Sequence, residues 1–81
     1  MNIKIRKQNK QLLLTGHCRA ELYDRYRKDL DLVFEILVHG RHTRQSMEKT
    51  RVELMTKAGK WEFVYVENET DIIIIHIKLR R

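Results

Sequence analysis

Residues 15–40 read T-G-H-C-R-A-E-L-Y-D-R-Y-R-K-D-L-D-L-V-F-E-I-L-V-H-G, and they decide the fold class. Leu30, Val33, Phe34, Leu37 and Val38 fall at i, i+3, i+4, i+7 and i+8, the spacing that lines one face of a helix. Asp29 is placed to cap that helix, and Asp31 sits in the first turn, where a carboxylate opposes the helix dipole. Gly40 predicts a left-handed stop at its end. Upstream, Gly16-His17 opens an earlier helix, with Cys18, Leu22 and Tyr26 on one stripe and Tyr23 at its margin. Glu21 precedes Arg25 by four residues, the favourable order for a helical ion pair. Arg25 lies beside the edge of the apolar stripe and is expected to be partly covered.

On both sides of this helical stretch the period changes to two. Ile3 and Ile5 alternate with Lys4 and Arg6, Gln8-Asn9-Lys10 is turn-like, and Leu12 to Thr15 is apolar again. Either a hairpin or a free arm followed by one strand fits that pattern. After Gly40, Val52, Leu54 and Thr56 alternate with Arg51, Glu53 and Met55, and Trp61, Phe63 and Tyr65 with Glu62, Val64 and Val66. Ala58-Gly59 is the expected hairpin turn, pairing Lys57 with Lys60 and Leu54 with Phe63. Val52, Leu54, Trp61, Phe63 and Tyr65 then share the core face, and Arg51, Glu53, Glu62 and Val64 the other. Residues 67–71 form a polar turn. Ile72 to Leu79 is apolar on both alternating sets until His76 and Lys78, which predicts an interior strand covered on both faces for much of its length. The expected architecture is one α+β domain over 1–81: an N-terminal strand, then two short helices packed on an antiparallel sheet of three to four strands.

Composition sets limits on function. Eighty-one residues allow one small core. A single Cys excludes an internal disulfide and favours a reducing, cytoplasmic setting. No apolar run approaches the roughly 20 residues of a membrane span, and no leader pattern follows Met1. Net charge is +6, and residues 1–28 carry all of that excess. A basic end of this kind attracts phosphate backbones or an acidic protein, or simply solvates the surface. His39 and His42 lie three apart, but Gly40 separates them and no Cys-x-x-Cys accompanies them, so no metal site is expected. Phosphate-binding glycine loops and nucleophile elbows are missing from the sequence.

The His at the mouth of the first helix (His17), the Arg eight residues on (Arg25), and the order strand, helix, helix, strands resemble the RelE/ParE superfamily of small toxin proteins, in particular its BrnT-like or uncharacterised branches. The resemblance implies a RelE-like fold, contact with RNA or the ribosome, an acidic antitoxin-like partner, and mRNA cleavage without metal or cofactor. Such cleavage needs a proton acceptor for the 2′-hydroxyl, cations for the developing phosphorane charge, and an acid for the leaving oxygen. The side chains of suitable type are His17, Arg51, Glu53 and His76. Lys4, Arg6, Lys7, Lys10, Arg25, Lys57 and Lys60 are the candidate RNA contacts.

Each candidate also has a plainer role. His17 is either a general acid or base or a helix cap, and Arg25 either a phosphate clamp or the partner of Glu21. Arg51 and Glu53 either line an RNA groove or belong to a solvated sheet face. His76 is either catalytic or a satisfied interior residue. Trp61, Phe63 and Tyr65 either stack on bases or fill the core. The chain lacks the C-terminal Tyr of some active toxins. A non-catalytic binding module and a homodimer joined through strand edges are the alternatives to a nuclease.

Overall fold

A computed structural model of the chain describes residues 2–5 and 8–81, with side chains from Lys10 onward. A six-stranded mixed sheet carries two short helices. In chain order the elements are β1 (Asn2–Ile5), β2 (Gln8–Leu14), α1 (Gly16–Ala20), α2 (Leu30–His39), β3 (Arg41–Arg44), β4 (Lys49–Thr56), β5 (Gly59–Glu67) and β6 (Asp71–Arg80). The first helix continues past Ala20 as a wider π-helical turn, Glu21–Arg25. Across the sheet the strands run β1-β2-β6-β5-β4-β3. Four of the five pairings are antiparallel, but β2 and β6 lie side by side in parallel, with Leu12 opposite Ile72 and Leu14 opposite Ile74. The sheet is therefore mixed and larger than the three or four antiparallel strands expected.

The N-terminal segment is a hairpin, with Gln8 to Lys10 inside β2 rather than in a turn. β3 was not visible in the sequence. Its residues Arg-His-Thr-Arg carry almost no apolar signal, because it is a short outer strand that buries little.

Caps form at both helix starts. Thr15 Oγ1 accepts from the Cys18 N–H at 3.2 Å, and Asp29 Oδ1 accepts from the Asp31 N–H at 3.0 Å. The first helix is capped at Tyr26, and Arg27 just past it adopts φ +57°, a left-handed conformation usually left to glycine. Gly40 ends α2 differently from expectation, with extended backbone (φ −75°, ψ 166°). The reason for a glycine there is space. A Cβ at this position would lie 2.6 Å from Val52 Cγ2 and 2.9 Å from the Glu53 carbonyl oxygen.

Buried against the helices are Leu12, Val52, Trp61, Phe63, Tyr65, Ile72, Ile74 and Ile77, met by Cys18 and Leu22 of the first helix and Val33, Ile36 and Leu37 of α2. Full burial of each large apolar side chain contributes about 1.5–3 kcal/mol. The aromatic residues of β5 are thus core. Trp61 meets the edge of Tyr26 (centroids 5.1 Å apart) and that of Phe63 (6.2 Å). The apolar stripe of α2 is rotated from its expected position: Ile36 is fully buried, whereas Val38 is 60% exposed.

The hairpin turn lies one residue earlier than expected, at Lys57-Ala58, so that Leu54 pairs with Trp61 and Val52 with Phe63. Moving a two-residue turn by one position shifts the pairing by two, which leaves every side chain on its expected face. Gly59 follows the turn at φ +134°, a conformation that L side chains rarely adopt.

Placing a methyl group at Gly40 forces it against Val52 and two backbone carbonyls. Gly40→Ala is expected to destabilise the fold by about 2 kcal/mol, read as a lower urea midpoint with an unchanged slope. Wild-type stability in this variant would remove the steric account of the glycine.

Candidate nucleic-acid interface

The sheet face opposite the helices is built by the same alternation that builds the core. On β4 it receives Lys49, Arg51, Glu53 and Met55; on β5, Lys60, Glu62, Val64 and Val66. β6 behaves otherwise. Ile72 and Ile74 face the helices, and strict alternation would bring His76, Lys78 and Arg80 in behind them. A bulge intervenes. Tyr65 pairs with Ile74 but Val64 pairs with His76, so Ile75 is an extra residue and the phase reverses. Ile77 and Leu79 then turn toward the helices, and His76, Lys78 and Arg80 join the open face, all three exposed. β6 is an interior strand of the sheet, as expected, but it is covered on one face only.

Cross-strand register sorts the open face into rows. One row runs Arg41, Glu53, Glu62, Lys78, and the next runs Thr43, Arg51, Val64, His76. Arg51 and His76 stand two strands apart, about 10 Å between backbones. Their side chains reach different partners. Arg51 Nε lies 3.1 Å from Glu53 Oε1 and Arg51 Nη1 4.0 Å from Glu62 Oε1. The buried Nε–H is off the line to the carboxylate, so charge attraction holds this pair without an aligned hydrogen bond. Lys60 Nζ closes on Glu53 Oε2, and Arg80 Nη2 lies 3.6 Å from Glu62 Oε2. The Lys60 hydrogen bond holds the Glu53 carboxyl below its ordinary range. Burial opposes that shift, and the charges of Lys60, Arg51 and Arg41 add to it.

Two carboxylates are therefore held by three cations, while Arg41, Lys49 and Lys78 of the same face have no ion pair among the described residues. The sign of this face is positive. A carboxylate held ionised by a lysine is poorly matched to accept a proton from a hydroxyl near neutral pH, which counts against Glu53 as a general base.

His17 is elsewhere, on the exposed side of the first helix, with Nε2 3.8 Å from Glu21 Oε1. The other oxygen of that carboxylate accepts from Arg25 Nη1 at 3.3 Å. His17, Glu21 and Arg25 form a ladder along one side of the helix. The Arg25 side chain is 69% exposed, more open than its place beside the apolar stripe suggested, and its guanidinium lies 5.5 Å from the Tyr26 ring centroid. A groove of about 330 Å³ separates this ladder from β6 and is lined on the strand side by His76, Ile77, Lys78 and Leu79. The structure thus brings His17 and His76 to one groove and Arg51, Glu53 and His76 to one sheet face, with His76 common to both.

The remaining candidates divide. Lys10 points to the helix side, where its ammonium is buried against Glu67 Oε2 at 3.0 Å and the Asn68 carbonyl oxygen at 2.5 Å. Its charge serves the fold, tying β2 to the end of β5. Lys57 is exposed at the tip of the β4–β5 hairpin. Arg6 and Lys7 lie outside the described residues, and so does the side chain of Lys4.

His42 was considered only as a metal ligand and holds the fold instead. Its Nε2–H donates to the Leu37 carbonyl at 2.8 Å, and its Nδ1 is hydrogen-bonded with the Tyr65 hydroxyl at 2.9 Å. One imidazole thereby satisfies a helix-end carbonyl and a buried phenol. Its signal in the sequence was slight, a His just past a helix end. Cys18 is fully buried, and that burial pushes its thiol up, with the Thr15 hydrogen bond opposing and the Glu21 charge adding. A thiol of this kind stays protonated and unreactive.

A depressed carboxyl pKa adds stability above the ordinary glutamate value, and that stability is lost as pH falls through the lowered folded value. Carboxyl carbon NMR titration should accordingly place the Glu53 midpoint below that of an exposed glutamate. In Lys60→Ala the midpoint should rise toward the ordinary value. No rise would mean that Arg51, rather than Lys60, governs this carboxylate.

Among the described residues no helix is long and apolar enough to cross a membrane. Compared with known proteins, the chain matches no protein-family model, no curated protein and no solved structure.

Proposed function

We propose that this chain is a toxin-type protein of the RelE/ParE kind, with BrnT-like features, whose open sheet face binds the phosphate backbone of RNA. The observation that carries this reading is the charge left over on that face. Six cations (Arg41, Lys49, Arg51, Lys60, Lys78 and Arg80) stand around two carboxylates. The two carboxylates are already engaged, so incoming phosphates meet net positive charge without displacing an ion pair at Arg41, Lys49 or Lys78. Val64 and Val66 between the charged positions give sugars and bases an apolar floor. Element order is compatible in general class with a RelE-like arrangement: an N-terminal strand pair, two helices, then a meander whose last strand lies beside β2.

Cleavage of the bound RNA is the second reading, favoured by the placement of His17 and His76 on one groove. Imidazole is the side chain whose ordinary pKa lies near neutrality, suited both to take the 2′-hydroxyl proton and to protonate the leaving oxygen. Arg25 and Lys78 at the same groove would oppose the charge that develops on phosphorus. A homodimer joined through β3 is disfavoured by Arg41 and Arg44, since like charges would face one another across the new ladder.

Single-stranded RNA titrated at several salt concentrations tests the binding reading. Affinity should fall steeply with salt, by about 0.7 in log K per log salt for each phosphate contacted. Lys49→Ala and Lys78→Ala should each weaken binding and flatten that slope, whereas Arg19→Ala, on the first helix, should do neither. Salt-independent binding, or none, would overturn it. Cleavage is tested by controlled expression in a bacterial host with mapping of message ends. Growth arrest with new ends, abolished in His17→Ala and His76→Ala, is the expected result for a nuclease. Intact messages at high protein levels would leave binding alone.

A further inference from the structure

β6 outruns β2. The last residue of β2, Leu14, pairs with Ile74, and from Ile75 to Arg80 β6 has a ladder partner only on its β5 side among the described residues. The chain leaves the sheet at Thr15, whose N–H donates to the Ile74 carbonyl at 3.2 Å, and continues as the first helix above the sheet. Below that helix the edge of β6 stays open over six residues, about 20 Å of strand. Successive residues of a strand aim their N–H and C=O groups to alternate sides, so about half of the peptide groups in this stretch face the open side. The groove beneath the His17–Glu21–Arg25 ladder is the entrance to that edge, which explains why consecutive β6 residues of both faces line it.

We propose that the β6 edge from Ile75 to Arg80 is a docking site for an extended segment of a partner protein, added to the sheet as a strand, with acidic and apolar residues in alternation. The chemistry follows from the phase set by the bulge. On the open face the neighbours of an added strand are His76, Lys78 and Arg80, which call for carboxylates. On the helix face they are Ile77, Leu79 and Tyr26, which call for apolar side chains. Main-chain hydrogen bonds along the edge supply affinity, and the alternating side chains supply selection. Nucleic acid has no amide ladder to match a strand edge. A second copy offers the cationic edge of β3, the wrong sign for Lys78 and Arg80. This site shares His76, Lys78 and Arg80 with the surfaces assigned to RNA but engages the main chain of the strand edge, which the N-methylated peptide below tests apart from RNA binding.

The test uses the whole chain, isotope-labelled, and a capped eight-residue peptide alternating Glu and Val. Saturable binding at equal stoichiometry is expected, with amide shifts and slowed hydrogen exchange centred on Ile75–Arg80. N-methylation of alternate peptide residues should weaken binding at least about tenfold, because it removes ladder donors while keeping the side chains. Lys78→Glu should disfavour the Glu/Val peptide and favour a Lys/Val one. Four results would each overturn the proposal: no saturation; undiminished binding of the N-methylated peptide; shifts placed on β1 or β3; or protection of the edge in the free chain by self-association. Protection of these amides by an oligoribonucleotide but not by the peptide would assign the edge to RNA and overturn it too.

Discussion

The bulge at Ile75 is the constraint on which the rest of this structure depends. β6 pairs with both β2 and β5 and supplies the middle of the core, so its phase sets the character of both sheet faces. Were Ile75 paired regularly instead of set out of the ladder, Ile72 and Ile74 would be followed inward by a histidine, a lysine and an arginine. Burying even one unpaired ammonium or guanidinium would cost several kcal/mol. With the bulge, Ile77 and Leu79 complete the floor beneath Cys18, Leu22 and Tyr26, and three basic side chains emerge on the outer face. Setting Ile75 out of the ladder thus keeps the core apolar and the open face cationic.

The same strand explains why the groove exists. Parallel pairing of β2 with β6 requires a long connection between them, and here it contains both helices and β3, β4 and β5. The first helix starts at the end of β2 and overlies the apolar residues of β6, which keeps β2 short. The short partner leaves an edge, and the helix above it carries the His17–Glu21–Arg25 ladder. Glu21 lies between His17 and Arg25 with one carboxylate oxygen toward each, which orients them along the groove wall without strong covering. Exposed ladders of this kind contribute little stability, so their residues are free to be chosen for what they meet.

Much of this was legible in the sequence, and the parts that were not have identifiable causes. The cap at Asp29, the burial of Cys18 and Leu22, and the face assignment of Val52, Trp61, Phe63 and Tyr65 follow from periodicity. They survive a turn placed one residue away because a two-residue shift preserves faces. The α+β class was legible for the same reason. β3 was hidden because an outer strand rich in Arg, His and Thr shows no alternating burial. The phase reversal in β6 was present as Ile-Ile-Ile-Ile followed by His-Ile-Lys-Leu-Arg, two alternations out of step, yet a continuous apolar run also fits a strand covered on both faces. Gly40 was recognised as a stop for the wrong reason, since the approach of Val52 is a tertiary fact. Of the site, the β4 and β5 positions on the open face were legible, but those of β3 and β6 were not, and the commitment of Lys10 to Glu67 and the meeting of His17 with His76 depend on the parallel β2–β6 pairing, which alternation alone does not specify.

The two glutamates of the open face have a role that the net charge hides. Six cations on one side of a small sheet repel each other, and in water that repulsion is reduced but not removed within about 10 Å. Glu53 and Glu62 sit opposite one another across β4 and β5, where like charges would ordinarily be unfavourable. Here each is flanked by cations, Glu53 by Arg51 and Lys60, Glu62 by Arg51 and Arg80, so the pair becomes the centre of a charge lattice. The lattice holds the middle of the face at low net charge and leaves the excess at its margins, on Arg41, Lys49 and Lys78. An anionic polymer laid on such a surface would be gripped at the rims and excluded from direct attack on the centre. That arrangement favours binding over chemistry at Arg51 and Glu53, and it leaves His76, beside the groove, as the group on this face best placed to move a proton.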